Sequence, residues 1–173
     1  MDLILYPNPV LRRRAPPLLS IDEGVREKAR QMLQIMYREK GVGLAAPQVH
    51  WSVRLFVVNP LGESDPSGER VYINPEITSS EGEVLDEEGC LSIPGVRGNV
   101  VRYQKVVIRA LDLEGARIEE SVADLHARIL QHELDHLDGI LFITRLGVSE
   151  RMLAAKVLKK LEKDYKEGLA SRH

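Results

Sequence analysis

The chain is poor in cysteine and aromatic side chains, with one Cys, one Trp and two Phe in 173 residues. A single thiol excludes an intramolecular disulfide framework, and a chain of this length can bury enough surface to stand without one. Charge of either sign is not in excess: 24 Lys and Arg face 26 Asp and Glu, for a net charge of −2. No global electrostatic argument for a nucleic-acid or membrane partner follows from that balance. Long apolar runs are missing too. Met1 to Leu5 meets Pro7 and Pro9 at once, with Arg12, Arg13 and Arg14 beyond, which suits neither a signal peptide nor a membrane span. The expectation is one soluble, cytoplasmic domain over residues 1–173, in which 148–173 form a helical tail.

What is present is His132-Glu133-Leu134-Asp135-His136, near the end of a helical run from about Ala123 to Asp138 that Gly139 is placed to stop. Residues four apart share a helix face, so His132 and His136 can direct two imidazoles at one metal ion, with Glu133 beside it as a proton acceptor. Leu125, Ile129, Leu130, Leu134 and Leu137 already supply an apolar stripe, so the histidines are not needed as packing. A catalytic metal site takes three protein ligands. Cys90 is the obvious third, although a lone cysteine is more often a small buried apolar residue.

The rest of the chain reads as α+β. Ser20-Ile21-Asp22-Glu23 has capping-box spacing, and a helix should follow to about Lys40, with Val25, Ala29, Met32, Leu33 and Met36 on one face and Gly41 as its end. Val53 to Asn59 and Val71 to Ile73 read as strands around a loop, Glu76 to Asp86 alternates weakly, and Val100 to Leu113 holds two runs suited to strands. After a turn at Glu114-Gly115, Arg117 to Val122 adds another. Antiparallel or mixed sheets thus occupy the middle, between an N-terminal helix and the histidine helix. Ile140 to Ile143 looks like a short strand. Ser149 is placed to cap a last helix with Leu153, Val157, Leu161 and Tyr165 on one side and Lys156, Lys159, Lys160, Lys163 and Lys166 on the other, where interspersed acids make a solvated face the commoner reading.

Three stretches, in this order and spacing, resemble the motifs of the peptide deformylases: Gly41-Val42-Gly43-Leu44-Ala45-Ala46-Pro47-Gln48, Glu88-Gly89-Cys90-Leu91-Ser92 and Gln131-His132-Glu133-Leu134-Asp135-His136. The resemblance runs from Tyr6-Pro7-Asn8-Pro9 to Gly139-Ile140-Leu141-Phe142. It implies removal of the formyl group from N-formylmethionyl nascent polypeptides, with Cys90, His132 and His136 holding one Fe2+ that Zn2+, Ni2+ or Co2+ can replace. It also implies Glu133 as the acid/base, and Gln48 with the Leu91 N–H as donors to the developing oxyanion.

By the same resemblance, Val42, Gly43 and Gly89 would line the peptide's path. Val42, Leu125, Ile129 and the stem of Arg97 would form the methionine pocket, with Glu88, Arg102 and Asp135 in support behind the ligands. Arg128 stands where an apolar residue is also possible. His50, His126 and His173 carry no assigned chemistry. The basic tail suggests a ribosomal partner near the exit tunnel, while no membrane and no specific nucleic-acid sequence are implied. The competing readings are a zincin-like metallopeptidase, which usually finds its third ligand after the helix, and a non-catalytic deformylase-like protein that binds peptide or ribosome.

Overall fold

The computed structural model describes residues 1–170, so His173 lies outside the described residues. Helix α1 (Glu23–Arg38) begins at Asp22, whose carboxylate accepts the Val25 N–H at 2.9 Å, so Asp22 and not Ser20 is the cap. Its apolar stripe is Val25, Ala29, Met32, Ile35 and Met36. The helix also ends earlier than expected. Lys40, at φ 59°, makes the left-handed turn, and the Gly41 N–H closes back on Met36 O at 2.8 Å. Gly41 is small for another reason: a Cβ there would stand 2.6 Å from a Leu91 methyl.

Five strands follow, β1 (Gly43–Ala45), β2 (Leu55–Val58), β3 (Arg70–Gly89), β4 (Arg97–Leu111) and β5 (Arg117–Ala123), all antiparallel and in sequence order. β2 is buried throughout because both faces are covered. Leu55 and Val57 meet α1 and its surroundings, whereas Phe56 and Val58 join a cluster with residues of the histidine helix.

The weak alternation of 76–86 belongs to one strand of 20 residues, and the two runs of 100–113 to one of 15. Register shifts near Ile73 and Ile77 bend the long β3–β4 hairpin, and most of residues 79–87 face solvent on both sides, which blurs the alternation. The expected turn before β5 is present, with Gly115 at φ +80°.

Helix α2 (Asp124–Leu137) carries the histidines. Gly139 ends it at φ +73°, with its N–H on His136 O at 3.2 Å and the Ile140 N–H on Asp135 O at 2.9 Å, a Schellman pairing. A side chain at 139 would also strike the Arg12 carbonyl, 2.7 Å from where its Cβ would lie.

Two expectations beyond this point need correction. Ile140 to Ile143 is not a strand: the chain turns through a short 3₁₀ segment, Phe142–Thr144, that buries Phe142 and Ile143 against the segment around Ile4, Tyr6 and Leu11. Helix α3 (Val148–Ala170) begins before Ser149, and Glu150 accepts the Asn99 N–H of β4 at 2.7 Å. That anchor sets the helix rotation. Leu153 is 81% exposed, while Ala154, Val157, Leu158 and Leu161 meet the core. Among the described residues no helix is long and apolar enough to cross a membrane.

Candidate metal centre and active site

Cys90 follows directly on β3, at the start of the turn closing the β3–β4 hairpin, where its carbonyl accepts the Ile93 N–H at 3.0 Å. α2 lies across the hairpin, and its two histidines, one turn apart, have ring centroids 5.0 Å apart. Cys90, His132 and His136 each bring a ligand atom within 4.8 Å of the other two, and Cys90 Sγ lies 3.3 Å from His136 Nε2. Among the described residues this is the one group of three such side chains placed to share an ion.

Electrostatics and donor chemistry both fit a divalent cation. The Glu88 carboxylate sits 3.0 Å from His132 Nδ1, which leaves the other ring nitrogen for the thiol side. Burial pushes His136 down, and positive His132 and Arg102 push it further, so it is neutral and offers a lone pair. Burial also lowers His132, but Cys90 and Glu88 outweigh it and carry that ring up. A cation placed among one thiol and two imidazoles would replace that proton as the positive charge Glu88 faces.

Glu133 stands apart from this set. It is 4% exposed, its Oε2 is buried without a hydrogen-bond partner, and burial pushes its carboxyl up to about 7. Gln48 is buried on a short 3₁₀ turn after β1; its Oε1 accepts the Ala45 N–H at 2.8 Å and its Nε2 donates to Ser92 Oγ at 3.0 Å. The same Nε2 lies 3.7 Å from Cys90 Sγ, so the amide is aimed at the donor set. Leu91 adjoins Cys90 in the turn. Ser92 escaped the sequence reading, though it sits inside the Glu88–Ser92 motif.

Behind the ligands lies a buried ionic cluster. Arg102 donates to both oxygens of Glu88, at 2.8 and 3.0 Å, and to Asp135 at 2.6 Å. The two Glu88 neighbours His132 and Arg102 hold its carboxyl far below the usual range, against the effect of burial. Arg145 forks onto Asp135 at 2.6 Å through each of two nitrogens. Arg128, left open by the sequence, is also in this cluster: it donates to Glu88 Oε1 at 2.8 Å.

A cleft of roughly 530 Å³ opens beside the donor set and is lined by Val42, Gly43, Gly89, Arg97, Leu125, Ile129 and Glu133, among others. The residues expected for a peptide's path and first side chain are therefore brought to one place. Leu125, read from sequence as part of a core stripe, is 54% exposed at the rim. Among the described residues β1 pairs only with β2, so no strand covers its other edge. Arg97 is held across the mouth by Glu87 at 2.6 Å. His50 and His126 lie away from the cleft lining.

Comparison with known proteins gives one family. The model of the polypeptide deformylase family matches residues 1–152. A peptide deformylase of Acidobacterium capsulatum is 42% identical over 161 residues, covering 93% of this chain and 95% of its own. The chloroplastic/mitochondrial peptide deformylase 1B of Arabidopsis thaliana is 40% identical over 174 residues, 99% of this chain and 64% of its own. Among solved structures, peptide deformylase from Plasmodium falciparum superposes with a TM-score of 0.93 at 38% identity, over 96% of this chain and 98% of that one. The Legionella pneumophila enzyme gives 0.88 at 41% identity, over 95% and 96%.

Proposed function

Given that the chain belongs to the peptide deformylase family, and so removes the N-formyl group from nascent peptides, we propose that Cys90, His132 and His136 hold the metal ion this chemistry requires. When bound, a divalent ion supplies Lewis acidity that activates water and polarises the formyl carbonyl. Ferrous iron is our assignment, with zinc, nickel or cobalt able to take the same thiolate and imidazole donors.

Glu133 takes a proton as water adds to the formyl carbon, and returns one to the amine as the C–N bond breaks, leaving formate and a free N-terminus. Its burial, raised pKa and unpaired oxygen suit a group that must alternate between both forms. Gln48 Nε2 and the Leu91 N–H donate to the oxygen that gains charge. The peptide backbone adds to the open edge of β1 near Val42 and Gly43, with Gly89 opposite. This is main-chain recognition, which is indifferent to residues after the first. The first side chain enters between Val42, Leu125, Ile129 and the stem of Arg97, while Glu88, Arg102 and Asp135 hold the ligands in place.

The observation that carries this assignment is a buried carboxylate, one oxygen of it unpartnered, lining the same cleft as donors of a three-residue set. The family match supports neither the metallopeptidase nor the non-catalytic reading. The test is formate release from formyl-Met-Ala-Ser by anaerobically purified protein, with metal content measured on the same sample. Release that follows bound metal, and none from acetyl-Met-Ala-Ser, is expected; release by fully metal-free protein would overturn the ligand assignment. Glu133→Gln should keep the ion and lose turnover.

We place the protein in the cytoplasm and assign the lysine face of α3 to the ribosome, on the exposure of Lys156, Lys159, Lys160, Lys163 and Lys166. Unchanged co-sedimentation with ribosomes after deletion of residues 148–173 would overturn that docking.

A further inference from the structure

Arg128 is a charged residue in a place where an apolar one would fill the space. Its side chain is 7% exposed, and burying a guanidinium is costly unless its donors are met. Two of its three nitrogens find four acceptors on the hairpin. One terminal nitrogen donates to Glu88 Oε1 at 2.8 Å and to the Val100 carbonyl at 2.9 Å, with the Asp86 carbonyl at 3.4 Å. The other donates to the Val84 carbonyl at 2.9 Å.

These partners lie on different elements. Val84, Asp86 and Glu88 belong to β3, Val100 to β4, and Arg128 itself to α2, one turn before His132. The tether is short: Glu88 is two residues from Cys90, and its second oxygen contacts His132 Nδ1 at 3.0 Å. Arg102 braces the same carboxylate from β4, but the fork that starts on the histidine helix and grips main-chain carbonyls of both hairpin strands is Arg128's. Carbonyl oxygens on a hydrogen-bonded ladder are fixed points in a way that a flexible side chain is not.

We propose that Arg128 is a positioning residue which sets the separation between the hairpin thiol and the helix imidazoles, and thereby how slowly the site releases its ion. The inference rests on the ligand assignment made above and adds a residue that bonds none of the three donors itself, although it also borders the cleft. Loss of such outer support typically costs about 10- to 100-fold in metal affinity.

The test uses full-length protein loaded with Co2+ alone and no substrate. Ion loss to excess chelator is timed, and the thiolate-to-cobalt absorption is recorded. Arg128→Met should fold, as judged by circular dichroism, lose the ion at least tenfold faster than wild type, and show a weakened thiolate band. Arg128→Lys keeps the charge for Glu88 but not the fork for the carbonyls, and should fall between. Arg54→Met is the control, since the Arg54 side chain is also largely buried but bonds Asp138 and the Leu137 carbonyl at the far end of α2; it should stay within twofold of wild type.

A folded Arg128→Met with wild-type loss and band overturns the proposal, and so does equal acceleration in Arg54→Met, which would signal general loosening. Should Arg128→Met fail to fold, Arg128→Lys decides: several-fold faster loss supports the role, and a wild-type rate overturns it. A wild type that binds no Co2+ would instead remove the ligand assignment, and this inference with it.

Discussion

The Glu133 carboxylate fills the space that a side chain on Gly43 would need: a Cβ there would overlap it and stand 2.9 Å from an Ile129 methyl. The strand edge passes directly over the carboxylate assigned to proton transfer.

Gly43→Ala should therefore displace Glu133 without touching a metal donor. We expect kcat/KM for formyl-Met-Ala-Ser to fall at least tenfold while metal content stays at the wild-type level. Unchanged kcat/KM would show that the carboxylate has room to move without consequence.

Gln48→Glu separates two roles of one side chain. The Ala45 N–H keeps an acceptor, so the turn should hold, but the donor near Cys90 is lost. Removing one oxyanion donor typically costs about 2.7–4 kcal/mol in the transition state, so kcat should drop by roughly 100- to 1000-fold with the melting temperature little changed. A drop below tenfold would take Gln48 out of the oxyanion site.

Arg102→Met tests the buried cluster. It leaves Glu88 and Asp135 with less countercharge, and breaking a buried pair in this way costs about 3–5 kcal/mol. Chemical denaturation of the metal-free protein should register that loss; a cost under about 1 kcal/mol, the ceiling for most exposed pairs, would mean that the neighbouring arginines take over.

His126 gives a pH signature. Burial lowers its pKa, opposed by Glu120 and assisted by Arg70, with the Tyr72 hydroxyl 3.4 Å from its Nε2. The folded state thus prefers the neutral ring. Its contribution to stability is complete above the unfolded value of about 6.5 and is lost as pH falls below it. His126→Gln should flatten the stability profile below about pH 6.5; an unaltered slope would assign it to other groups.

How much of this was legible in the sequence depends on range. The His-Glu-x-x-His spacing and the Gly139 stop are local, and α2 has both. The Gly41–Gln48 and Glu88–Ser92 stretches marked the cleft because close approach and donor chemistry leave residue types behind. What escaped was decided by distant partners. Arg128 reads as an odd polar residue until the Val84 and Val100 carbonyls are beside it. The rotation of α3 follows from Glu150 meeting Asn99, 51 residues away, and no period within the helix encodes that contact. Phe142 and Ile143 have the composition of a strand, but their side chains are claimed by the core around Leu11 and Ile93, and the backbone turns to deliver them.

The strand order β1 to β5 is the order of the chain. Each strand finds its mate among its neighbours, so the sheet can zip up hairpin by hairpin at little entropic cost. The thiol and the imidazoles are another matter, since Cys90 and His136 are 46 residues apart and meet only once α2 has docked across the finished hairpin. An ion held by the three proposed donors would close that long loop at the end of folding and act as a latch that slows reopening.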